Sequence, residues 1–89
     1  MYSNAPSIFR AAATIRARYQ TLTAREKEVL ALMVQGLRNK LAADRLGISE
    51  VTVKVHRHNI MEKMQAESLP ALVGMVGQLR LQDAAPREP

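Results

Sequence analysis

Eighty-nine residues allow one domain with a modest core, and the absence of cysteine removes disulfides, thiolate metal sites and thiol nucleophiles together. The apolar share of 47% is that of a folded protein, and one Phe, two Tyr and no Trp leave an aliphatic core. Thirteen Lys and Arg against eight Asp and Glu give a net charge of +5, which points toward nucleic acid or an anionic surface and specifies neither.

Ala and Leu richness favours helices over sheet. Residues 1–6 read as loose, and 7–19, SIFRAAATIRARY, as a helix capped by Ser7 with Ile8, Ala11, Ala12 and Ile15 on one side. No acid precedes Glu26, whereas Arg10, Arg16, Arg18 and Arg25 do. That composition suits a helical linker and also a mitochondrial transit peptide. Thr23-Ala24-Arg25-Glu26 is an S/T-x-x-E capping box, in which the Thr hydroxyl takes a free backbone N–H and Glu returns to another. The helix it opens carries Val29, Leu30, Met33, Val34 and Leu37 at helical spacing, and Gly36 ends it.

A short helix is expected over 39–46, stopped by Gly47, then a longer one over 50–65 capped by Ser49. Ser68 caps a last helix over 69–81, where Pro70 is tolerated in the first turn. The tail from Asp83, DAAPREP, reads as disordered. The longest apolar run, LPALVGMV at 69–76, is far below the ~20 residues of a membrane span, so no membrane partner is expected.

The stretch Val51–His58, VTVKVHRH, competes with this reading because it alternates β-branched and polar residues as a half-buried strand does. The alternation dies after His56, no hairpin partner stands nearby, and the pattern continues through Lys63 behind a capping Ser49. Helix therefore wins. At about 100° per residue Val53, Ile60 and Met64 share a stripe flanked by His56 and Arg57. Val51, Lys54, Val55, His58, Asn59 and Glu62 fall opposite. A face mixing hydrogen-bond donors with small apolar groups suits the DNA major groove, where donors meet base edges and methyls meet thymine. With the short helix and the corner Leu46-Gly47-Ile48-Ser49, packed by Ala43, Leu46 and Ile48, it forms a helix-turn-helix.

The run LTAREKEVLALMVQGLRNK, the following Ala pair, LGIS, TVKVHRHNIMEKM, and Ser68-Leu69 with Ala71-Leu72-Val73 resemble the DNA-binding domain of LuxR/FixJ-type transcriptional regulators. The resemblance covers about residues 21–76, and residues 7–20 look like the linker to a receiver domain in the FixJ branch. It implies an all-α fold, a small four-helix helix-turn-helix bundle over 21–81, with an N-terminal helical linker extension over 1–20 and a tail over 82–89. It further implies a bacterial, cytoplasmic two-component regulator with no cofactor, metal or small-molecule ligand in this domain. The chain is then an excised output domain or a stand-alone regulator.

Carried over position by position, Lys54, Val55 and His58 meet bases of double-stranded DNA, while Thr52, Arg57, Asn59, Asn39, Lys40, Thr23 and Arg25 approach its backbone. The last helix would form a homodimer on DNA through Leu72, Val73, Val76 and Leu79, with RNA polymerase as a further partner. Its apolar surroundings support self-association, the other reading being that it packs against residues 7–19. One departure from the family pattern is Leu41-Ala42, where a polar residue and Ile are usual. Either a void costing about 2–4 kcal/mol results, or Leu41 fills it through a small helix rotation.

His56-x-His58 invites a metal reading, but on a helix the two side chains lie about 200° apart and no acidic cluster completes a site. His56 is expected to be half-buried packing, His58 to point outward, and Lys63 to be a solvated charge. No catalytic residues converge, so no enzyme is expected. The alternative to DNA binding is a protein-interaction or anti-regulator module that pairs with a related regulator and binds no DNA itself.

Overall fold

The computed structural model describes residues 8–83, with side chains described over 11–80. Five helices follow in order: α1 (Ile8–Gln20), α2 (Ala24–Val34), α3 (Asn39–Leu46), α4 (Glu50–Met64) and α5 (Leu69–Asp83). No strand occurs among the described residues, and VTVKVHRH lies wholly within α4. The all-α expectation is met, with α5 running two residues further than expected. The loose segment 1–6, the Ser7 cap and residues 84–89 of the expected tail lie outside the described residues, while Gln82 and Asp83, expected in that tail, belong to α5.

Local chemistry sets the helix ends. At α2 the Glu26 N–H donates to Thr23 Oγ1 at 3.1 Å and the Thr23 N–H donates to Glu26 Oε1 at 2.9 Å, completing the capping box. Ser49 accepts from the Thr52 N–H at 3.1 Å, and Ser68 from the Ala71 N–H at 3.2 Å. Gly36 and Gly47 turn left-handed, at φ 89° and 69°. Each lets the next residue's N–H return to a carbonyl of the helix end: Leu37 N–H to Leu32 O at 3.1 Å and Ile48 N–H to Ala43 O at 3.0 Å.

The core forms where these helices cross. Val29, Leu30, Leu32 and Met33 from α2 meet Ala42 and Ala43 from α3, Val53, Ile60 and Met64 from α4, and Leu72 and Leu79 from α5. Each fully buried aliphatic side chain contributes roughly 1.5–3 kcal/mol. From α1, Ala12 and Ile15 are buried while Ala11 is exposed, so the expected apolar side of α1 is narrower than its sequence implies. The α1 helix packs against α5 and α4, and Arg18 donates from Nη1 to the Met64 carbonyl at 3.3 Å, satisfying a group at the end of α4.

Two expectations need correction. Leu72 and Leu79 belong to this chain's own core, Leu72 being completely buried, because α5 turns that stripe toward the other helices. The docking of α1 on α5 also realises the packing offered as the other reading of its apolar surroundings. Leu41 does not rotate inward: it is 58% exposed, and Ala42 beside it is the residue that α3 buries.

Candidate nucleic-acid interface

The left-handed Gly47 sets the corner between α3 and α4, with Ala43 buried and Leu46 and Ile48 half-buried against the core. A Cβ at Gly47 would meet nothing within 4 Å, so glycine is needed there for its backbone angle, not for space. This corner seats α4 by one stripe. Val53, Ile60 and Met64 are completely buried, spaced seven and four residues apart so that they fall on one side of the helix.

The opposite side is left uncovered. Val51 is 69% and Val55 53% exposed, and Lys54, His58 and Glu62 are exposed with them. These five positions span about 100° of the helix circumference, one continuous outward strip. Lys54, Val55 and His58, the expected base-reading residues, are thus brought together on it. His58 Nε2 stands 3.6 Å from Glu62 Oε2, both largely exposed, a pairing too wet to hold either side chain. Asn59 sits half-buried at the strip's margin, and His56 and Arg57, also half-buried, flank the seated stripe. His56 Nδ1 is buried with no hydrogen-bond partner, and no cluster of three metal-binding side chains occurs among the described residues.

The remaining expected backbone-contact residues lie at helix starts. Thr52 is exposed in the first turn of α4, its hydroxyl 2.9 Å from that of Ser49. Asn39, half-buried, and Lys40, exposed, open α3, and Arg38, at the cap position just before it, makes no side-chain cap. Thr23 is engaged in the capping box, and Arg25 Nη1 is 3.1 Å from Glu28 Oε1 at the surface. Of the expected dimer residues, Val73 is 42% exposed and Val76 half-buried, while Leu72 and Leu79 do not reach the surface.

Lys63 corrects the sequence reading: it is not a solvated charge. Its Nζ donates to Glu26 Oε1 at 2.8 Å, and Glu26 is almost wholly buried. Burial alone pushes the Glu26 carboxyl up, but the Lys63 ammonium and the Thr23 N–H outweigh it and hold the carboxyl below its ordinary value. The pair ties the last turn of α4 to the first turn of α2. The capping-box glutamate announced itself in sequence, but nothing local pointed from it to a lysine 37 residues away. A shallow groove of about 160 Å³ between α1, α2 and α5, with Lys27 over Tyr19 on its rim, includes no residue of α4.

Comparison with known proteins follows this geometry. The GerE family model, bacterial regulatory proteins of the luxR family, matches residues 20–76. The response regulator protein TmoT of Ectopseudomonas mendocina is 47% identical over 77 residues, 86% of this chain and 33% of that protein. The transcriptional regulatory protein FixJ of Rhizobium meliloti is 59% identical over 61 residues, 68% of this chain and 30% of that one. The solved structure of response regulator StyR superposes with a TM-score of 0.75 at 48% identity, covering 78% of this chain and 35% of that one. Full-length FixJ from B. japonicum gives 0.75 at 39% identity, over 83% and 36%. The chain therefore spans about a third of the length of the curated relatives it matches. With the family match running from the end of α1 well into α5, the chain belongs to the luxR family of bacterial regulatory proteins.

Proposed function

We propose that this chain is the sequence-specific DNA-binding domain of a two-component transcriptional regulator, with α4 in the major groove and two copies meeting across α5. The observation that carries the reading is the outward strip of α4, where Lys54, Val55 and His58 stand on a helix whose opposite side is completely buried. Lys54 offers a donor to guanine acceptors, Val55 a methyl-sized apolar contact and His58 a hydrogen bond. Thr52, Arg57, Asn59, Asn39, Lys40, Thr23 and Arg25 steady the helix on the phosphates, which position without specifying. The net charge of +5 supplies a nonspecific component that falls steeply with salt.

The relatives' names, response regulator and transcriptional regulatory protein, support the wider role. In it α1 joins this domain to a receiver, and RNA polymerase is a further partner. Self-association falls to Val73 and Val76, since Leu72 and Leu79 are committed to the core. A two-fold dimer would double the sequence read and fix the half-site spacing.

The test is a mobility-shift titration, at fixed salt, on an operator obtained by selection from random oligonucleotides. Lys54→Ala is expected to weaken binding about 5- to 140-fold, the ~1–3 kcal/mol of a good base contact. Unchanged affinity and base preference would remove Lys54 from the interface. No binding even at low salt, together with capture of a related regulator, would favour the mixed-dimer module instead.

A further inference from the structure

We infer, on the footing of the DNA-binding reading above, that Val51 joins Val55 as a second reader of thymine methyl groups, so that the operator half-site carries two thymines whose C5 methyls the helix senses separately. Four large apolar side chains are exposed among the described residues: Leu41, Val51, Val55 and Val73. Two of them stand one turn apart on the same helix, with Lys54 between them along the axis and at one edge of the outward strip. Valine is an unfavourable choice for an exposed helical position, because it loses rotamer freedom there without gaining burial. Two valines on a wet, otherwise polar helix face are therefore unexplained by the fold of the described residues.

Duplex DNA supplies what they lack. Among the four bases only thymine presents an apolar group in the major groove. Four residues of helix advance about 6 Å, against about 3.4 Å between successive bases on a strand. Val51 and Val55 therefore reach positions up to two base steps apart, with Lys54 between them for a purine acceptor. Their stiffness is then useful, since a β-branched side chain held in one rotamer on a helix loses little freedom when it makes the contact.

The experiment replaces thymine by uracil, one position at a time, in the selected operator, and measures affinity at fixed salt for the wild-type chain, Val51→Ala and Val55→Ala. This exchange deletes a methyl and leaves every hydrogen-bonding group in place. Two positions are expected to lose about fourfold each, the ~0.8 kcal/mol of one buried methylene converted at 1.4 kcal/mol per tenfold. Val51→Ala is expected to erase the sensitivity at one position and Val55→Ala at the other. Val51 is largely exposed and alanine is the stronger helix former, so that variant folds; an unchanged circular-dichroism melt confirms it. An operator bound tightly with every uracil exchange within twofold would overturn the methyl-reading pair while leaving DNA recognition intact. Retention of both sensitivities in Val51→Ala would overturn the role of Val51. Failure to select any DNA would overturn this pairing and the DNA reading together.

Discussion

The helices α4 and α5 are equally long, fifteen residues each, yet they allot their apolar residues in opposite ways. The α4 sequence is mostly polar, buries three residues completely and leaves two valines in the open. By its composition α5 is the more apolar helix, but Leu72 and Leu79 are buried, Leu69, Met75 and Val76 are half-buried, and of its described large apolar side chains only Val73 is exposed. The neighbours account for the contrast. Both α1 and α2 lie on α5, whereas among the described residues no helix covers the strip of α4 from Val51 to Glu62. An apolar residue signals a partner where its helix is otherwise wet, and signals a core where its helix is otherwise oily.

The contrast breaks most sharply at adjacent residues of α5. Leu72→Ala is expected to destabilise the fold by about 2–5 kcal/mol, since it empties a completely buried site. In a small domain that approaches the whole stability. Val73→Ser, one position on, is expected to change stability by no more than about 0.5 kcal/mol. Urea denaturation of both variants at equal concentration checks this. Comparable effects would mean that α5 is rotated from the orientation described. If Val73 lies at a dimer contact, its variant will also bind the operator more weakly while unfolding at the wild-type midpoint.

The next largest effect concerns how α4 is held. Lys63→Met leaves the Glu26 carboxylate buried without its ammonium and is expected to cost about 1–3 kcal/mol at neutral pH. The pH dependence has a definite sign. The folded carboxyl lies below its ordinary value of 4.5, so the unfolded chain binds more protons in the acid range. The stabilisation is present above the unfolded value and is lost as pH falls through the folded one. Wild type and Lys63→Met should therefore differ most at neutral pH and converge on acidification. Parallel urea midpoints across the whole acid range would show that the 2.8 Å pair contributes nothing through ionisation.

These residues also show what a sequence conveys. The capping box, the serine caps, the glycine corner and the buried stripe of α4 depend on residues within one to three turns, and all were legible as spacing. The outward set of Lys54, Val55 and His58 followed from the same spacing. Lys63 was not legible, because its partner is in another helix and an exposed lysine looks the same in sequence as a paired one. The fates of Leu72 and Leu79 depended on whether α1 folds back onto α5, a choice made by long-range packing. Leu41 fell between the two: its helix was expected, but which of two neighbouring residues α3 would bury was settled by its seating against α4.

The smallest effect compares the two ends of the helix-turn-helix. Gly47 closes α3 in the left-handed conformation, and Gln65 closes α4 in nearly the same one, at φ 56° and ψ 43°. The hydrogen bonds match as well: the Gln65 N–H reaches Glu62 O at 3.1 Å and the Ala66 N–H reaches Met61 O at 3.0 Å. A side chain in that conformation costs about 1–2 kcal/mol. Glycine removes the cost but gives back about 0.5–1 kcal/mol through the freedom of the unfolded chain. Gln65→Gly is therefore expected to stabilise by about 0.5–1 kcal/mol, a rise of a few degrees in Tm. Operator affinity should not move, because the substituted residue stands beyond the last turn of α4, whereas the proposed base readers Val51, Lys54, Val55 and His58 lie in its first three turns. A lower Tm would mean that the Gln65 side chain itself secures the end of α4. The two corners would then be alike in backbone shape but held by different forces.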